Sequence, residues 1–97
     1  MTTDELLMKL PKMIGNHPGD GCYFLSEKED QIGWLTLHNE GGSAPWKAFY
    51  DDNLGGIVCL NPYAENPPYN NAVCWGETPN EALQGLYDWC VKNGFVK

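Results

Sequence analysis

The chain is 97 residues long, 42% hydrophobic, and carries thirteen carboxylates against six cations, all of them lysine, for a formal charge of −7. That length supports one core and one domain, residues 1–97, and the twelve aromatics, four of them Trp, set the chain apart from a disordered acidic tail. Arginine, the residue best suited to gripping phosphate bidentately, is absent, so the composition argues against a protein that itself holds DNA or RNA.

Thr2-Thr3-Asp4-Glu5 has the form of a capping box, with Thr2 as N-cap and Glu5 reaching back to the cap amide. Leu6, Leu7, Leu10, Met13 and Ile14 follow at helical spacing, and Pro11 predicts a kink or an end near Leu10. A Gly/Asn/Pro loop occupies residues 15–21. Strands are predicted over 22–27 and 32–38, joined as a hairpin through the polar run Lys28-Glu29-Asp30-Gln31. A second hairpin is predicted from strands at 46–50 and 57–60 around Asp51-Asp52-Asn53-Leu54-Gly55-Gly56. Residues 61–71, with three prolines and four asparagines, are a loop, and 72–75 is a short last strand.

The C-terminal helix is the best-signalled element. Thr78-Pro79-Asn80-Glu81 combines an N-cap, Pro at the first helical position and a capping-box Glu. Leu83, Leu86, Tyr87 and Cys90 form the apolar stripe, opposite Glu81, Gln84, Asp88 and Lys92, and Gly94 is the expected stop. Gly85 costs about 1 kcal/mol of helix propensity relative to alanine, which close approach to a sheet would offset. The expected class is α+β, in the order α-β-β-β-β-α: an antiparallel sheet of about three to four strands flanked by an N-terminal and a C-terminal helix.

No catalytic motif stands out. Cys22, Cys59, Cys74 and Cys90 have no C-x-x-C spacing, and each lies in an apolar segment where a free thiol packs as a small hydrophobe. Zinc sites usually show a close ligand pair, which neither these cysteines nor His17 and His38 provide. Gly41-Gly42 and Gly55-Gly56 lack the strand–loop–helix context and the lysine of a phosphate-binding loop. The expectation is a non-enzymatic protein with no cofactor and no metal. The acidic amino end does not resemble a signal peptide, and no apolar run approaches the roughly 18 residues of a membrane span, so the expected compartment is the cytoplasm, with reduced cysteines.

Charge is unevenly placed. Residues 21–60 carry six acids against two lysines, compared with three against two before them and four against two after. Glu27, Glu29 and Asp30 fall at the first predicted hairpin tip, Glu40 just past its second strand, and Asp51 and Asp52 at the next tip. Charges at turns keep sheet edges soluble. Collectively they could also present carboxylates at spacings resembling phosphates, attracting a basic nucleic-acid-binding surface on a protein partner. Tyr63 and Tyr69, in the proline-rich loop, are of the kind that anchors protein interfaces.

The segment Gly76-Glu77-Thr78-Pro79-Asn80-Glu81-Ala82-Leu83 resembles the strand–Gly–acid–Thr–helix junction of small prophage-encoded proteins and of HicB-like antitoxin domains. In size, acidity and α+β organisation, the chain is similar to the small anti-CRISPR proteins carried by prophages. That resemblance implies an acidic DNA mimic in the host cytoplasm, blocking target-DNA binding by a type I surveillance complex. Its charge would come from Glu27, Glu29, Asp30, Glu40, Asp51 and Asp52, with buried contact from Tyr63 and Tyr69. The alternative is an antitoxin-like or regulatory module of a mobile element that binds one cognate protein. Neither version touches nucleic acid directly or needs a membrane.

Overall fold

The computed structural model describes residues 1–15, 22–24, 32–52, 56–59 and 71–96. Its elements are α1 (Thr3–Lys9), β1 (Met13–Gly15), β2 (Cys22–Phe24), β3 (Ile32–Asn39), β4 (Trp46–Asp51), β5 (Val73–Gly76) and α2 (Pro79–Lys92). Among the described residues the strands form one sheet in the order β2-β1-β3-β4-β5. β1, β3, β4 and β5 are antiparallel neighbours, and β2 adds to β1 in parallel at the edge. The α+β class, with four antiparallel strands and a helix at each end of the chain, is as the sequence predicts, whereas the parallel edge strand β2 makes a fifth and the order α-β-β-β-β-β-α.

Both helices begin as expected. Thr2 Oγ1 accepts the Glu5 N–H at 3.2 Å while the Glu5 carboxylate receives the Thr2 N–H, which completes the box. At α2 the Thr78 hydroxyl accepts from Glu81 N, but the Glu81 carboxylate reaches one residue further back, to Glu77 N–H at 3.0 Å. α2 ends in a Schellman motif: Phe95 N–H bonds Cys90 O, Gly94 N–H bonds Val91 O, and Gly94 takes a φ of 83° that suits only glycine well.

Two local predictions are corrected. The apolar stripe of the first helix does not run on through Met13 and Ile14. Pro11, which has no N–H to donate, stops the helix at Lys9, and the next residues extend into β1. β1 then lies between β2 and β3, so 22–24 and 32–39 are not a hairpin. The second correction concerns 57–60. Asp52 N–H bonds Gly56 O at 3.1 Å, and among the described residues 57–59 make isolated bridges in place of a strand, Asp51 to Ile57 and Cys59 to Asn71, while Leu60 lies outside the described residues. Residues 56–58 replace β5 as the neighbour of the end of β4, and Val58 is bonded to both Tyr50 O and Ala72 N.

The core lies between one face of the sheet and the two helices. It holds Leu6, Leu10, Ile14, Ala48, Tyr50, Val58, Ala72, Ala82, Leu83, Leu86, Cys90 and Phe95. Gly85 lets α2 sit close: a Cβ there would meet Cys74 Sγ. Asn80 ties the helix starts together, its amide donating to Met1 O at 3.0 Å and Thr3 Oγ1 at 3.2 Å.

Candidate interaction surface

Strand alternation assigns each side chain to one face. Gly33 fixes which is which, since a Cβ there would lie 2.5 Å from Val58 Cγ2 and 2.8 Å from Tyr50 Cβ, inside the core. Its neighbour Trp34 therefore points the other way. By register, Met13, Trp34, Thr36, His38, Lys47, Phe49, Asp51, Val73 and Trp75 share that second face. α2 packs against β4 and β5 from the core side, and α1 packs against α2, so neither helix covers these residues.

The second face is aromatic without being purely apolar. Trp34 and Trp75 remain 49% and 47% exposed. Lys47 Nζ lies 4.4 Å from the Phe49 ring centroid and 5.3 Å from that of Trp75, and meets Glu40 Oε1 at 3.3 Å. A cation over a ring face is attracted by the quadrupole of the π-system. Trp34 and Asp51 are paired across β3 and β4, which places a ring beside a carboxylate.

Of the residues assigned to partner binding from sequence, Glu27, Glu29, Asp30, Tyr63 and Tyr69 lie outside the described residues. Glu40 sits in the turn between β3 and β4, in ion-pair contact with Lys47. Asp51 ends β4, and Asp52 Oδ1 accepts the Gly56 N–H at 2.8 Å, so the Asp52 carboxylate also shapes the turn. Glu40 and Asp51 mark opposite ends of the β3–β4 pair. The five residue steps from Trp46 to Asp51 span about 17 Å, so these acids frame the second face rather than forming one cluster.

Sequence reasoning missed Trp34, Phe49 and Trp75 as surface residues. The signal was in the alternation of 46–51, but large apolar groups occur at both parities there, and only the Gly33 packing shows which parity is core.

Cys74 and Cys90 lie on the core side of the sheet, away from this surface. Cys90 is buried, its S–H 3.7 Å from the Tyr50 hydroxyl, and burial pushes its pKa up to about 11 despite that hydrogen bond. Cys74 is also raised by burial. Both shifts oppose thiolate chemistry near neutral pH. No three of His, Cys, Asp and Glu converge among the described residues, and no described helix is long and apolar enough to cross a membrane. In comparisons with known proteins, no family model, no curated protein and no solved structure matches the chain.

Proposed function

We propose that this chain is a non-enzymatic inhibitor that binds a protein complex through that complex's basic nucleic-acid site, as an anti-CRISPR-like DNA mimic of phage origin would. The observation that carries the proposal is charge: −7 on 97 residues with no arginine, with carboxylates at both ends of a sheet face that neither helix covers. Such a field steers a cationic groove toward the protein and repels nucleic acid. Glu40, Asp51 and Asp52 supply charge on the described residues, joined by Glu27, Glu29 and Asp30, with Tyr63 and Tyr69 as contact groups.

A nuclease-treated pull-down from a bacterial lysate with active CRISPR and restriction systems tests this. Recovery of a nucleic-acid-guided complex that loses target-DNA binding in the presence of the protein supports it. Glu→Gln and Asp→Asn replacement at the six acids should then weaken binding and flatten its salt dependence. Unchanged affinity and salt slope would sink the mimicry. Recovery of one small unrelated protein would assign the chain to the antitoxin-like class.

A further inference from the structure

We infer that the sheet face opposite the two helices, centred on Trp34 and Asp51, is itself a docking surface for an arginine-bearing segment of a protein partner. This deepens the proposed function and rests on it for the partner's charge, but it locates the contact on the sheet face rather than at the hairpin tips.

Three observations converge. The face holds Trp34, Phe49 and Trp75, with the two indoles about half exposed on the side of the sheet away from the core. Rings on this face already hold a cation, because the Lys47 ammonium sits over Phe49 and Trp75. Lys47 lies at the Trp75 end of the face, its register partner across β4 and β5. At the other end, Trp34 has a carboxylate directly across the ladder, with Cβ atoms of such a pair about 4.5–5.5 Å apart. A guanidinium fits that pair, stacking flat on the indole while its N–H groups reach Asp51; a compact, strongly hydrated ammonium stacks less well.

Charge selects among occupants. A second copy of the chain would bring −7 against −7, and a nucleic-acid strand stacked on the rings would need a basic groove around them. A cationic protein segment meets neither obstacle.

The experiment is an amide and indole NMR titration of the 15N-labelled full chain with nona-arginine, with nona-lysine and a ten-nucleotide oligo-dT as comparison probes. Nona-arginine should shift the indole N–H signals of Trp34 and Trp75 and leave those of Trp46 and Trp89 in place. It should bind more tightly than nona-lysine. Trp34→Ala should weaken binding about two- to five-fold, while Trp34→Tyr retains most of it. Asp51→Asn, which leaves the ring intact, should also weaken it.

If nona-arginine binds but moves neither indole, and Trp34→Ala changes nothing, the docking surface is wrong while the charge-based function stands. If neither peptide binds at low salt, both fall. Indole shifts with oligo-dT alone would overturn the inference in favour of a nucleic-acid platform. Indole shifts on dilution of the protein alone would overturn it in favour of a self-association face.

Discussion

The Tyr50 hydroxyl donates a 2.8 Å hydrogen bond to the carbonyl of Pro11, joining the end of β4 to the residue that ends α1. Tyr50 is fully buried, and its oxygen also receives the Cys90 S–H, so one phenol holds strand, helix end and C-terminal helix together. Tyr50→Phe keeps the packing and removes the donor. The loss should be about 1–2 kcal/mol, measured by urea unfolding, because the Pro11 carbonyl is left without this donor inside the core. A change under a few tenths would show that the Pro11 carbonyl finds water instead.

Gly85 sets the spacing of helix and sheet. Alanine is the better helix former, yet Gly85→Ala should destabilise by about 1–3 kcal/mol, since its Cβ is driven into Cys74. Cys74→Ala removes the sulfur and should recover part of that loss. A double-mutant cycle between the two sites measures the coupling, and additivity would refute the proposed clash.

Cys90 predicts an alkaline limit. Its folded pKa, about 11, lies above the ordinary value of 9.0, so between these values the folded chain holds a proton that the unfolded chain releases. Its contribution to stability is therefore complete below about pH 9 and is lost as pH rises through about 11. Unfolding free energy should fall across that window in the wild type and fall less in Cys90→Ala. Near neutral pH, Ellman's reagent should reach Cys90 only on unfolding.

Asp52 separates charge from structure. Asp52→Asn keeps an oxygen for the Gly56 N–H and should leave stability within about 0.5 kcal/mol, whereas Asp52→Ala removes that acceptor and should cost about 1 kcal/mol. Thermal melts of the two variants distinguish a turn-forming carboxylate from a purely solvated one. For binding experiments, Asn is therefore the neutralising substitution to use.

Much of this fold was legible because it is encoded locally. The two threonine caps, Pro11, Pro79 and Gly94 each act on the backbone within a few residues, and the helices start and stop where they dictate. β1 was hidden, since Met13 and Ile14 continue the helical spacing and only a parallel partner and an antiparallel one, both distant in sequence, make them a strand. The contribution of 57–60 was overestimated because a turn signal says that the chain reverses, not how long pairing lasts afterwards. At the candidate site, charge was readable residue by residue, whereas the exposed rings were not. Which side of a doubly apolar strand meets solvent depends on where the helices land.

The Asn80 amide bonds to atoms 79 and 77 residues earlier in the chain, Met1 O just ahead of a helix of only seven residues and Thr3 Oγ1 at its start. A segment that short is marginal in water, so α1 depends on α2 being in place to receive it. The order of assembly follows: the amino terminus docks late in folding, after the costly closure of nearly the whole chain, and it is the first part to detach. Native-state hydrogen exchange should accordingly find Leu6 and Leu10 amides exchanging well before those of Leu86 and Cys90. Uniform protection would show instead that α1 opens only with the whole domain.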